Sequence, residues 1–397
     1  MSDKTLLVLA ASMYQLDTIK TAKQLGYRVV TTDNVPDNPG HTMADHSYSV
    51  DTTDMEGVLN IAIHEKVCGI ISPCTEVAVP TMAYVAERLG LNGPPFTSTQ
   101  ITCDKNVFRR FLRENAFPVP EFYEVSEEFQ PDEDLFMEKI WIIKPAQSSG
   151  SKGVFIINSW HDYQNRFPEM EVFSNTGVGI LEEYVEGFQG TSEGILENGK
   201  IVFCVVLDRQ TVSPPYVTTC GHRVPTLLGN ERLQQLHKML EVLFRLLQLT
   251  EGPFDCDFVA TNDKIYILEI SPRIGGNLIA PLLKIATGFD LVKYSVKKAC
   301  DDWVVLPEKI KISPAATVLF GVSRHGNLMY NEEEAKLLEK ESWVNQLSFD
   351  VKVNTPVLPF INSKYRIGEA IVVGGSREAI DGKIVEMKKR LGIRVEP

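Results

Sequence analysis

The chain of 397 residues is short of nearly every feature that would announce a specialised architecture. No apolar run approaches the roughly 20 residues needed to cross a bilayer. The stretch 6–11 is too short even for a signal-peptide core and reads as a buried strand. The seven cysteines, at positions 68, 74, 103, 204, 220, 256 and 300, are odd in number and contain no C-x-x-C. That spacing argues against a disulfide framework or a zinc ribbon and for a reducing cytoplasm. The absence of any N-x-S/T acceptor points to the same compartment. No H-x-x-x-H occurs, and His64, His161 and His237 fall on helical patterns, where a surface or core role suffices. Positive charge is also scarce, with 40 Lys and Arg against 52 Asp and Glu, a net charge of −12. Such a surplus of carboxylates repels phosphate backbones. The expected partners are therefore small molecules, with no nucleic acid and no membrane, and an anionic ligand needs a local cationic site.

Two nucleotide motifs are missing as well. The first strand runs into Ala10, Ala11, Ser12, Met13, Tyr14 and Gln15 instead of G-x-G-x-x-G, so a pyrophosphate cannot approach the backbone closely there. Gly194 to Lys200 has the Walker A spacing, but Ile201 follows where a hydroxyl should meet Mg²⁺, and the segment sits in a hairpin.

What is present is an average globular composition, 44% hydrophobic and 23% charged, in a length suited to two or three domains. Strands at 5–10, 27–32 and 68–72 alternate with helices at 15–25, 54–66 and 76–89, the pattern of a parallel, doubly wound sheet. A helical stretch at 104–115 runs into Pro118 and Pro120, a hinge. The middle part reads as α+β on antiparallel sheet. Strands at 140–144 and 154–157 flank a Ser/Gly loop, hairpins turn at Asn198-Gly199 and Asn262-Asp263, and a helix carries Leu233, Leu236, Leu240, Leu243 and Leu247 on one face. Strands at 315–322 and 369–373 and a closing helix complete the chain.

Four features converge on phosphate chemistry. Lys144 ends a strand ahead of Gln147, Ser148, Ser149, Gly150, Ser151, Lys152 and Gly153, a loop able to aim backbone N–H groups and hydroxyls at phosphate oxygens. Glu182 and Glu183 end an apolar strand. Asp257 and Glu269 lie twelve residues apart; paired around Asn262-Asp263, their strands point both carboxylates to one face, a hard-oxygen pair suited to Mg²⁺ with substrate phosphates. Asp255 shares that face by parity, so the choice of aspartate stays open, and Arg273 can stabilise charge on a transferring phosphoryl group. Finally, Arg273, Ile274, Gly275, Gly276 and Asn277 turn into a helix N-terminus, an anion site.

Together these residues, with Asp104-Lys105, the run 182–185, the run 269–273 and Tyr365 to Ala370, resemble the ATP-grasp superfamily over nearly the whole chain. The resemblance implies a pre-ATP-grasp, Rossmann-like α/β domain at 1–103. An ATP-grasp domain follows at 104–304, its small lobe at about 120–185 and its large lobe at about 186–304, and a C-terminal cap at 305–397 completes the large lobe. It implies ATP and Mg²⁺ as cofactors. Lys105 and Lys144 would contact phosphates beneath the 148–153 loop, Glu182 would accept from the adenine amino group, and the backbone of Glu183 and Val185 would frame the ring. Leu268 would join the nucleotide contacts, Gln189 would meet the ribose with Glu193 as a nearby substitute, Asp257 and Glu269 would hold Mg²⁺, and Ser271 would face a second ion. The implied activity is carboxylate–amine ligation through an acyl phosphate that Arg273 stabilises, with Lys144 as the second catalytic residue. Within the superfamily, Gly221, His222, Arg223, Gly275 and Gly276 resemble L-amino-acid and dipeptide ligases, with His222 and Arg223 at the acceptor site. Gln15, Thr75 and Glu76, at strand ends, resemble purine-pathway ligases and transformylases, where they would meet substrate. A non-catalytic ATP sensor is the reading from another class, and a homodimer follows by analogy only.

Overall fold

The computed structural model describes residues 4–397. Strands β1 (Thr5–Leu9), β2 (Arg28–Thr32), β3 (His46–Tyr48) and β4 (Gly69–Ile71) form a parallel sheet in the order β3-β2-β1-β4. The side chains of β1 are apolar on both faces except Thr5, and all five residues are buried, because helices cover both sides of a parallel sheet. The helix expected at 76–89 begins later, at Val79, which leaves Thr75 and Glu76 in the turn that follows β4.

A second, antiparallel sheet, in the order β5-β8-β6-β7, contains β5 (Phe122–Val125), β6 (Trp141–Pro145), β7 (Phe155–Ile157) and β8 (Gly179–Glu183). The helix Trp160–Glu171 seals one face through Tyr163, Phe167 and Met170, which pack with Trp141 and Phe155. The third sheet has eight strands, in the order β13-β12-β9-β10-β11-β14-β18-β16. Its members are β9 (Phe188–Glu197), β10 (Lys200–Thr211), β11 (Thr219–Val224), β12 (Gly252–Ala260), β13 (Ile265–Ser271), β14 (Ala315–Phe320), β16 (Val344–Phe349) and β18 (Gly368–Val373). A small ribbon of β17 (Pro356–Val357), β15 (Gly326–Met329) and β19 (Arg394–Glu396) completes the architecture. The helix Asn230–Leu246 lays Leu236, Leu240 and Leu243, all fully buried, against Phe254, Ile265 and Ile267. Each such leucine contributes about 1.5–3 kcal/mol relative to exposure. Strands from beyond residue 305 thus extend the sheet that begins at β9, through β11 pairing with β14.

Cys68 and Cys300 form a disulfide across 232 residues, with Cα atoms 5.0 Å apart, tying the residue before β4 to the end of the helix Leu291–Ala299. The expectation from cysteine spacing is corrected here. Local spacing detects metal knuckles and redox pairs, whereas a single long-range bridge leaves no trace in it, so the spacing carries no argument about compartment. Reduction, or Cys68→Ser with Cys300→Ser, is expected to lower stability by about 2–5 kcal/mol. Thermal melting with and without reductant checks this. Among the described residues, no helix is long and apolar enough to cross a membrane.

Candidate active site

The three sheets meet around one cavity of about 490 Å³. One end of it is built on β6 and β8. Glu182 pairs with Ile142, two residues before Lys144, so both charged side chains share a face, and Lys144 Nζ lies 2.5 Å from Glu182 Oε2. The other carboxylate oxygen is held by Arg109, from the helix Lys105–Glu114; Arg109 is wholly buried and also donates to the Leu268 carbonyl at 2.8 Å. Burial opposes charge on Glu182, but Arg109 and Lys144 prevail and hold its carboxyl down at about 2. The Lys144 ammonium is pushed down by the same burial, against the pull of Glu182. Glu182 is therefore an ion-pair partner of two cations. Arg109 escaped the sequence reading because nothing in an amphipathic helix marks one arginine as inward-facing.

Lys105 Nζ donates to the Ser148 carbonyl at 3.1 Å and lies 3.9 Å from Glu269 Oε2, joining the Ser/Gly loop to the carboxylate pair. Ser148, Ser149, Gly150, Ser151 and Lys152 line the cavity, as do Glu183, Val185, Gln189 and Leu268. Gly153 does not; it faces Pro145 and Phe173 behind the loop. At Gly150 the backbone is left-handed (φ +69°), its carbonyl accepts from Ser363 N at 3.0 Å, and a Cβ there would overlap Ser363 Oγ. Gly150→Ala is expected to displace the loop and raise the KM for ATP about fivefold or more, at a stability cost of about 1 kcal/mol. Steady-state kinetics at varied ATP test it; an unchanged KM would free the loop of this role.

Asp257 and Glu269 are direct cross-strand partners on β12 and β13, so both carboxylates project from one face. Thr191 Oγ1 donates to Asp257 Oδ1 at 2.5 Å, and Arg209 Nη1 lies 3.4 Å from Oδ2. Two opposed carboxylates with only partial cationic cover fit Mg²⁺, which takes one or two protein carboxylates and completes its shell with water and phosphate oxygens. Among the described residues, no group of three or more His, Cys, Asp or Glu forms a metal cluster. Of the two aspartates, Asp255 is held more closely by a cation, with Arg273 Nη1 2.8 Å from its Oδ2. Burial pushes Asp255 up to about 7 despite Arg273, and Glu193, across the strand pair, is also driven well above the ordinary range.

Several expected contacts are corrected. Ser271 does not reach the cavity; its hydroxyl donates to Glu76 Oε2. Glu76 in turn holds Arg273 Nη2 at 2.8 Å, so it positions Arg273 and does not line the cavity. Gln15 is buried, its amide bonded to the Pro73 carbonyl and Thr75 Oγ1 and its oxygen to Ser12 N, which ties strand ends together. Glu193 is no ribose substitute: it is fully buried and accepts from Gly275 N at 3.0 Å, so Gly275 is structural. A Cβ on Gly275 would sit 2.5 Å from Glu193 Oε2. Arg223 points away from the cavity to Asp381, 2.6 Å distant, because neighbours on a strand face opposite sides. Thr75, Gly276, Arg273 and His222 do line the cavity. Burial, with Arg209 beside it, pushes the His222 imidazole down to about 3, so it is neutral. Arg209 was missed; lying 13 residues before His222, it becomes its neighbour only through the β10–β11 register.

Known proteins resemble this chain in sequence and in fold. A family model described as an ATP-grasp domain matches residues 102–277. The L-arginine-specific L-amino acid ligase of Bacillus subtilis is 26% identical over 270 residues, 61% of each chain. The formate-dependent phosphoribosylglycinamide formyltransferase of Vibrio vulnificus is 21% identical over 379 residues, 92% of this chain and 91% of that one. The crystal structure of an L-amino acid ligase from Bacillus licheniformis superposes with a TM-score of 0.84 at 18% identity over 99% of both chains. The fold of this chain is thus that of the L-amino acid ligase structure, and residues 102–277 match the model of an ATP-grasp domain.

Proposed function

We propose that the protein is an ATP- and Mg²⁺-dependent carboxylate–amine ligase whose acid and amine are small and carry no phosphoribosyl group. The observation that carries this reading is the distribution of charge around the cavity. All five lining cations, Lys105, Lys144, Lys152, Arg209 and Arg273, come from the ATP-grasp part. The N-terminal side offers Ala10, Ser12, Tyr14, Asp33, Thr52 and Thr75, with no Lys or Arg among its described residues. A phosphoribosyl substrate needs cations or a nest of N–H groups at that end.

In this reading Lys105, Lys144 and the 148–152 loop bind and orient the triphosphate. Leu268, Val185 and the backbone of Glu183 surround the base, with Gln189 toward the ribose. Asp257 and Glu269 would hold Mg²⁺, which supplies neutralisation of the transferring phosphoryl group. The substrate carboxylate attacks the γ-phosphorus, ADP leaves, and the amine then displaces phosphate from the acyl phosphate. Arg273, held by Glu76 and Asp255, faces the developing charge, while the Gly150–Ser363 contact keeps the loop over the site and water out.

The test is ADP release against pairs of L-amino acids and small carboxylates, with formate plus phosphoribosylglycinamide as a further pair. Release with an amino-acid pair supports the reading, and release only with the phosphoribosyl pair replaces it with a transformylase. Mg²⁺-dependent ATP binding without turnover on any pair assigns a sensor.

A further inference from the structure

The short strand β4 and the turn after it are tied to later segments of the chain at two places, with a gap between them. At the start of β4, Cys68 is bonded to Cys300. Gly69 lies so close to the end of the helix Leu291–Ala299 that a Cβ there would overlap the Ala299 carbonyl. Beyond the strand, Cys74 N donates to the Ile274 carbonyl at 3.2 Å, and Cys74 Sγ lies 3.3 Å from the Gly275 carbonyl. Two residues on, Glu76 holds Ser271 and Arg273, and Arg273 faces the main cavity. Between these ties lies a second cavity of about 70 Å³, lined by Ile70, Ile71 and Pro73 on one part and by Pro272, Ile274 and Ala299 on the other. The seam therefore lacks the dispersion contacts that close packing would supply, and its register depends on the ties at either end.

We propose that the Cys68–Cys300 bond is a redox-sensitive clamp that positions Arg273 by way of Glu76. Closed, it holds β4 and the following turn in register with the 271–275 segment. Opened, it leaves the turn held by hydrogen bonds alone across an unfilled seam, and the segment that presents Arg273 opens locally more often. The reductant is a dithiol. Cys68 is half-buried and Cys300 is only 2% exposed, so a thiolate of the reductant attacks the Cys68 sulfur. The S–S bond breaks with its electron pair on the Cys300 sulfur, which takes up a proton. The second thiol of the reductant then displaces the Cys68 sulfur, which is protonated in turn, and the reductant leaves as a disulfide, oxidised by two electrons. The clamp deepens the ligase reading and rests on it for what Arg273 does, but the opening of the segment is measurable without turnover.

The experiment is hydrogen exchange of the full chain, read by mass spectrometry before and after dithiothreitol. It is run on wild type purified without reductant and on Cys68→Ser with Cys300→Ser. Alkylation under denaturing conditions is expected to count five free thiols before reduction and seven after it. Reduction speeds exchange at 72–76 and 271–276 about tenfold, while β6 and β8 change less than about twofold. The double variant exchanges like reduced wild type with or without the dithiol; if it does not fold, reduction of wild type alone decides. The proposal is overturned if seven thiols are counted before reduction, or if the folded chain keeps five after it. It is overturned equally if exchange rises as much in β6 and β8, the mark of a bond that only stabilises the fold. Where ADP release is found, reduction lowers kcat about threefold or more with the KM for ATP within about twofold, and the double variant is low in both states. An unchanged kcat overturns the link to Arg273. Local exchange that follows the bond, with no ADP release on any substrate pair, keeps the clamp and sinks the ligase reading.

Discussion

Glu269→Gln is expected to lower turnover by at least about 1,000-fold while leaving the fold intact. Glu269 faces Asp257 directly across the β12–β13 pair, and the amide keeps the shape but removes one of the two hard, anionic groups proposed to hold Mg²⁺. Metal neutralisation of a transferring phosphoryl group is worth several kcal/mol, and each 1.36 kcal/mol is a factor of ten in rate. Stability is expected to move the other way. Opposed carboxylates on paired strands repel, so the variant melts at or above the wild-type temperature when no metal is added. Coupled ADP release and thermal melting, each with and without Mg²⁺, separate the two effects. Turnover that survives the substitution would remove the metal assignment, and a lower melting temperature would mean that Glu269 serves the fold through Lys105.

The second large effect falls on stability. Arg109→Met breaks the buried triad of Arg109, Glu182 and Lys144, in which the carboxylate is only 1% exposed. Breaking a buried ion pair by removing one partner costs about 3–5 kcal/mol, because the charge left behind keeps its desolvation penalty. For a domain of this size that is a fall of roughly 6–20 °C in melting temperature. A pH signature accompanies it. The Glu182 carboxyl is depressed from its ordinary 4.5 to about 2 in the folded chain. Its contribution to stability is therefore fully present above about pH 4.5 and is lost as pH falls toward 2. In Arg109→Met the carboxyl titrates higher, so the variant's own loss begins at a higher pH, and urea unfolding between pH 2.5 and 6 reads the difference. Equal stability of variant and wild type across that range would show that Lys144 alone compensates Glu182.

Much of the fold is legible because its cues are local. Alternating apolar strands and amphipathic helices up to Leu89, the Asn198-Gly199 turn and the leucine face of the helix from Asn230 each report on a few neighbouring residues. The Asp257–Glu269 pair is legible for the same reason: one short hairpin carries both residues, and strand parity decides their face. Contacts closed between distant segments are a different matter. Thr75 and His222 do reach the cavity, whereas Gln15, Glu76, Ser271 and Arg223 do not, although each occupies a plausible strand end or motif position. Their side chains are diverted by partners as far as 197 residues away in the chain, as when Glu76 meets Arg273.

The sequence by itself therefore determined the fold class, the order of its parts, the Ser/Gly loop and the cross-strand carboxylates, since each follows from period, turn chemistry or spacing within one hairpin. Only the tertiary structure decided which acids are spent on Arg273, which arginine completes the Glu182 triad, that Cys68 meets Cys300, and that Arg209 stands beside His222. The physical reason is the same in each case. A charged or hydrogen-bonding side chain is committed to whichever partner the packed elements bring within about 3 Å, and that partner is set by the assembly of sheets, not by the residues on either side of it.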